Sequence, residues 1–290
     1  MSLYGEGKGV DRDVTIIVPF YNPGPRFGSH LADIVDVLEA SGTTFEVIAV
    51  SDGSPEDSQQ VVAKFEAHGV RLITMASNGG KGSALRAGMA DARGRYVGFI
   101  DADGDIPASL ITGFIALTRA DEPPDIILGS KRHPESQVVY PLLRHCYSWC
   151  YQLLIGVLFH LPVRDTQTGI KFVRRDVLAA VVPRMLEKRF AFDLELLVVA
   201  RHLGFRNVVE APVQIGERFT STVSIHAVQG IVLDTLAIYY RLNILKYYDR
   251  PHEVVVAPIT SIPPASPAPS SLATAPARSG SPETPLDIPS

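Results

Sequence analysis

Cysteine is nearly absent from this chain of 290 residues, with Cys146 and Cys150 as its only two. That excludes a disulfide framework and any Cys-rich metal site, and it suits a reducing compartment. Tryptophan occurs once, and the formal net charge is only -4. Basic residues without interleaved aromatics, in a chain of negative net charge, exclude a nucleic-acid partner. Met1 to Asp13 lacks the basic start and apolar core of a secretory signal, so the active domain is expected to face the cytosol. A membrane span needs about 20 apolar residues. The strongest candidate, Cys146 to Val163, is an uncharged run of 18 interrupted by Gln152, Gly156, His160 and Pro162.

What is present suffices for a substantial core, since 46% of the chain is hydrophobic and 20% charged. The small net charge hides an asymmetry: residues 1–125 hold 10 Lys+Arg against 18 Asp+Glu, and residues 126–250 hold 16 against 10. An acidic half suits a metal and a basic half suits phosphates, although solvated faces also produce such splits. Of the 22 prolines, 10 fall in residues 251–290 among Ala, Ser and Thr, without apolar periodicity. That stretch reads as a disordered tail. Residues 1–13 read as an N-terminal extension, residues 14–225 as the catalytic domain and residues 226–250 as an amphipathic juxtamembrane helix.

Within the core, β-branched runs alternate with amphipathic segments. Val14 to Val18, Phe45 to Val50, Val70 to Met75 and Tyr96 to Ile100 read as strands. Leu31 to Ala40, Ser58 to Ala67 and Ser83 to Ala92 read as helices. Near-continuous apolar strands predict an α/β fold with a mostly parallel sheet covered on both faces. Ligands of such sheets bind beyond the strands' carboxyl ends, where Pro19, Asp52 and Asp101 fall. The run 146–163 and the segment Ile225 to Tyr248, which mixes aliphatics and tyrosines with Asp234, Arg241 and Lys246, are expected to be membrane-interface helices. The competing reading is that they pack on each other, on a partner membrane protein or on a second copy.

Asp101-Ala-Asp-Gly-Asp105 places three carboxylates at alternate positions after a buried strand, where like charges repel strongly. A divalent cation such as Mg²⁺ or Mn²⁺ would relieve them; a solvated acidic turn is the alternative. An EF-hand loop is excluded, because Thr112 stands where the twelfth-position Glu is required. Asn78-Gly-Gly-Lys-Gly-Ser83 fails the P-loop pattern, since Gly82 follows Lys81. Its glycines still permit close approach of backbone to a ligand before a helix N-terminus.

Six ordered motifs carry a resemblance: Val14-Thr-Ile-Ile-Val-Pro-Phe-Tyr-Asn22, Val50-Ser-Asp-Gly-Ser54, Asn78-Gly-Gly-Lys-Gly82, Asp101-Ala-Asp-Gly-Asp105, Arg164-Asp-Thr-Gln-Thr-Gly-Ile-Lys171 and Phe190-Ala-Phe-Asp-Leu-Glu-Leu196, with Gly129-Ser-Lys-Arg132 between them. In order and spacing the chain resembles family 2 glycosyltransferases, and within them the polyprenyl-phosphate and dolichyl-phosphate sugar synthases. The resemblance implies a GT-A-type, Rossmann-like fold. It implies that Pro19 and Tyr21 line a nucleoside pocket, that Asp52 binds base or ribose, and that Lys81, Asp101 and Ala102 border the nucleotide-sugar. Asp103 and Asp105 would ligate Mg²⁺ or Mn²⁺ with Asp101 beside them. Asp165 would align or deprotonate a polyprenyl phosphate acceptor, the alternative being a structural cap. Lys131, Arg132 and Arg144 lie just before the apolar run and are placed to draw that phosphate from the cytoplasmic face of a membrane, the alternative for each being an ordinary surface charge. Two departures stand out. Pro23 occupies a position where the family often has Glu, and Thr220 and Thr222 replace the frequent Gly and Lys, leaving Arg218 as the cation carried over there. Alternatives to lipid acceptance are a soluble or glycan acceptor, or a catalytically silent nucleotide-binding scaffold.

Overall fold

The computed structural model describes residues 10–138, 142–189, 191–215 and 225–250; side chains are described for all of these but 56, 138, 142–148, 150 and 225–228. Strands β1 (Arg12–Phe20), β2 (Phe45–Ser51), β3 (Val70–Thr74) and β4 (Gly94–Ile100) alternate with helices α1 (Phe27–Ala40), α2 (Glu56–Ala63) and α3 (Lys81–Asp91). Then come α4 (Leu110–Thr118), β5 (Ile126–Ser130), β6 (Gln137–Val138), α5 (Leu142–Phe159), β7 (Ile170–Arg174) and α6 (Arg175–Val181). The described part ends with α7 (Phe192–His202), β8 (Val208–Pro212), β9 (Gln214–Ile215) and α8 (Ile225–Asn243).

Seven strands form one sheet in the order β3-β2-β1-β4-β7-β5-β8. All pairings are parallel except those of β7, which runs antiparallel to β4 and β5. The sheet is therefore mixed but mostly parallel, as the apolar runs predict. Alternate residues of one strand feed opposite cores. Ile16 and Val18 join Leu31, Ile34 and Phe114 under α1 and α4, while Ile17 joins Leu85, Phe99 and Leu196 under α3 and α7. That is the physical reason the strands carry no polar alternation. A third, smaller cluster of Ile155, Phe159, Leu194, Val198 and Ile238 fastens α5 and α8 to α7.

Several expected boundaries move. Arg12 and Asp13 belong to β1 rather than to an extension. The apolar helix covers Leu142–Phe159, not 146–163, because His160 takes a positive φ of 52° and Pro162 follows. Helix α8 stops at Asn243, and Lys246 at φ 49° turns the chain back. Tyr248, expected at the end of a membrane-interface helix, is thus 1% exposed and packed in the core. The expected tail, 251–290, lies outside the described residues.

Candidate active site

The chain order reverses direction between β1 and β4, so the sheet opens a crevice where the carboxyl ends of β1, β2 and β4 meet. Asp52, Asp101 and the half-buried Pro19 stand there, with Tyr21 exposed at the rim. Asp52 is buried, and its two carboxylate oxygens accept the backbone N–H groups of Gly79 and Gly80 at 2.7 and 2.9 Å. Asp52, expected to contact base or ribose, holds the glycine turn. Gly80 needs its freedom: φ is +91°, and a Cβ there would lie 2.6 Å from the Lys188 carbonyl oxygen, to which Gly82 N–H also donates at 2.9 Å. Gly80→Ala is expected to cost about 1–3 kcal/mol of stability, read by urea unfolding.

Lys81, first residue of α3, places its ammonium 2.5 Å from Asp101 Oδ1. Burial opposes that charge, but Asp101, Asp193 and Asp103 outweigh it and hold the Lys81 pKa above its ordinary value. The Asp101 backbone N–H donates to Gly169 O at 3.2 Å, and the Asp101 carboxylate occupies the space a Cβ at Gly169 would need. His30 Nε2 lies 3.2 Å from the Asp101 carbonyl oxygen. Ala102 is buried. Arg26 pairs with Asp105 at 3.1 Å, and Asp105 N–H donates to Asp103 Oδ1 at 3.0 Å.

The protein thus supplies part of the cationic compensation expected from a metal, through Lys81 and Arg26. Among the described residues no three His, Cys, Asp or Glu side chains converge as a ready metal-binding group, so Asp101, Asp103 and Asp105 do not form one preassembled cage. Asp103 is the odd member: no described cationic side chain lies within ion-pairing distance of it. Desolvation, with the charges of Asp101 and Asp105, holds its carboxyl above the usual carboxylate range.

Asp165 is buried in a turn before β7. Its carboxylate accepts Thr168 Oγ1 at 2.6 Å, Lys131 N–H at 3.1 Å and Gln167 N–H at 3.0 Å, and Lys131 Nζ lies 3.8 Å away. So many donors make it an anchor of the turn, which is the structural alternative to a base. Beside it opens a groove of about 670 Å³, lined by Arg132 and Arg164 together with Trp149, Leu153, Val157 and Leu161. Of the other expected cations, Arg144 lies in the first turn of α5, where only the backbone is described, and Arg218 lies outside the described residues.

Sequence reading missed Arg26, Arg164 and Lys171 as members of this constellation. Lys171 is 1% exposed in the middle of the sheet, and a lysine inside the apolar run Ile170-Lys-Phe-Val173 is the signal that could have found it, since buried ammonium groups require partners.

A crevice at a topological switch, floored by a glycine turn and edged by an acidic cluster, defines an α/β protein of GT-A-like architecture with its ligand site at the strands' carboxyl ends. Residues 15–182 match the family described as Glycosyl transferase family 2, and the chain belongs to that family. It is 31% identical over 251 residues to a dolichyl-phosphate beta-glucosyltransferase of Trichomonas vaginalis, covering 82% of this chain and 76% of the relative. A dolichyl-phosphate beta-glucosyltransferase of Drosophila melanogaster is 33% identical over 206 residues, covering 66% of this chain and 63% of that one. In fold the chain is similar to glucosyl-3-phosphoglycerate synthase from Mycobacterium tuberculosis, crystallised with Mn²⁺, UDP-glucose and phosphoglyceric acid. The TM-score is 0.60 at 16% identity, over 83% of this chain and 81% of that one.

Proposed function

We propose that the protein is an inverting transferase that moves a hexose, glucose first among the candidates, from a UDP-sugar to a polyprenyl phosphate at a membrane surface. The groove beside Asp165 carries this reading, because it joins two guanidinium side chains, Arg132 and Arg164, to an apolar wall of Trp149, Leu153 and Val157. An amphiphile with a phosphate head and an isoprenoid tail matches both halves. The names of the relatives point the same way.

The donor's place is the crevice of Pro19, Tyr21, Asp52, Lys81, Asp101 and Ala102. Lys81, already charged against Asp101, is placed to meet the diphosphate, while Asp52 fixes the turn that presents it. Asp103 and Asp105 fit a divalent cation, Mg²⁺ or Mn²⁺, with Asp101 on the nucleotide side; the carboxyl of Asp103 is held up by desolvation and by the charges of Asp101 and Asp105, which a cation would offset. Such an ion, when bound, supplies positive charge to the departing nucleoside diphosphate. The acceptor needs little activation: a phosphate monoester has its second pKa near ~6 and is ionised at neutral pH. Its oxygen forms the bond to the anomeric carbon as the bond to the diphosphate breaks on the opposite face. Lys131, Arg132 and Arg164 dock it, with Arg144 and Arg218 as further cations, and Asp165 holds Lys131 in place.

Helix α5 exposes Trp149, Leu153 and Val157 at intervals of four, and α8 exposes Leu233, Leu236 and Tyr240. Faces of this kind suit burial at a lipid interface, and the reading places them on the cytoplasmic face of the membrane. Among the described residues no helix is long and apolar enough to cross one. Incubation with Mg²⁺ or Mn²⁺, a polyprenyl phosphate and a panel of radiolabelled nucleotide-sugars is expected to carry label into the organic phase from UDP-glucose. No lipid label from any donor would overturn the reading.

A further inference from the structure

Between the donor cluster and the groove lies a buried ion pair to which the reaction described above gives no part. Lys171, on β7, is register-paired with Phe99 of β4 and Leu128 of β5. Its ammonium lies 3.1 Å from Asp193 Oδ1, in the first turn of α7, and donates to the Thr168 carbonyl oxygen. Replacing such a pair by uncharged groups often leaves a fold equally stable, so stability alone gives no reason for a lysine here. Burial pulls the Lys171 pKa down, Asp193 opposes that, and the positive charge of Lys81 adds to the pull. The pair therefore feels the charge of Lys81 on the donor side and that of Asp165 on the groove side.

Mechanically it belongs to both sides. Thr168 and Gly169 end the turn that Asp165 begins. The Thr168 hydroxyl donates to Asp165, which also accepts Lys131 N–H, and Arg132 of the groove follows directly. At the other end Gly169 accepts Asp101 N–H and makes room for the Asp101 carboxylate. One turn thus touches the acidic cluster and the basic wall of the groove, and Lys171 grips its carbonyl from beneath.

We propose that Lys171 and Asp193 are positioning residues that lock the 165–169 turn and so set the spacing between acceptor phosphate and donor diphosphate. The assignment rests on the transfer reading of the same site. Single variants leave one buried charge alone and are expected to unfold readily. The informative protein is therefore Lys171→Met with Asp193→Asn, which removes both charges, assayed as the full chain with Mn²⁺, UDP-glucose and polyprenyl phosphate. It is expected to melt in one transition near the wild type and to lose about a hundredfold in kcat. The donor KM should change by less than about twofold. Hydrogen exchange should quicken at the amides of residues 131 and 166–169 while β4 and β5 stay protected. Thr168→Val, which leaves the ion pair intact, should lower kcat in the same way. Wild-type kcat in the double variant, or unchanged exchange in the turn, would overturn the proposal. If the wild type itself moves no sugar to lipid, the transfer reading fails, and exchange in the turn still decides whether the pair locks it.

Discussion

Asp103→Ala is expected to lower kcat by ~10³-fold or more while the protein unfolds no earlier than the wild type. Each neighbouring carboxylate has its own cation, Lys81 for Asp101 and Arg26 for Asp105. Asp103 forms no ion pair among the described residues, and although Lys81 pulls the other way, desolvation together with those two like charges holds its carboxyl above the ordinary range. The sign follows from linkage. A carboxyl whose folded pKa exceeds its unfolded one favours the fold while protonated, and that contribution is lost as pH rises through the folded value. An ionised Asp103 therefore works against the fold, and removing it relieves repulsion at the cost of the exposed hydrogen bond it accepts from Asp105 N–H. A residue that opposes folding unless it is compensated is a good site for a divalent ion. Titration with Mn²⁺ should raise the melting temperature of the wild type and leave that of Asp103→Ala unmoved. Retained turnover in the variant would remove the metal role given to Asp103.

The same cluster shows which features a linear reading reaches. Asp52, Lys81 and Asp101 each follow a strand or open a helix, so strand-end reasoning places them in one crevice without knowledge of packing. What they do there depends on partners distant in sequence: Asp52 turns inward to Gly79 and Gly80, and Lys81 neutralises Asp101. Arg26 reaches Asp105 across 79 positions, a pairing no local pattern encodes. Strand β7 escapes a linear reading because Lys171 and Arg174 interrupt its apolar run, and its antiparallel direction is set by pairing with β4 and β5. Helices α5 and α8 were legible as apolar segments. Their ends were not, because a positive φ at His160 and at Lys246 carries no compositional signal when glycine is absent.

Glu195→Ala is the substitution expected to cost most in stability, about 3–5 kcal/mol by urea unfolding. Glu195 is 0% exposed on α7. One oxygen accepts the Leu186 and Glu187 N–H groups at 2.8 and 2.7 Å. The other accepts the Tyr248 hydroxyl at 2.7 Å and lies 3.3 Å from Arg241 Nη1, which also holds Glu187 at 2.6 Å. Alanine would leave two amides, a phenol and part of a guanidinium without their acceptor, and unsatisfied buried donors account for the size of the loss. Tyr248→Phe, which removes one donor and leaves the carboxylate served by the others, should cost only about 1 kcal/mol. The effect should reach the donor crevice as well, since the loop that Glu195 fixes continues to Lys188, whose carbonyl accepts Gly82 N–H and abuts Gly80. Below its unfolding range the Glu195→Ala protein should therefore show a raised donor KM, whereas Tyr248→Phe should not. A loss under about 1 kcal/mol for Glu195→Ala would mean that contacts other than this carboxylate hold α8 and the loop to α7.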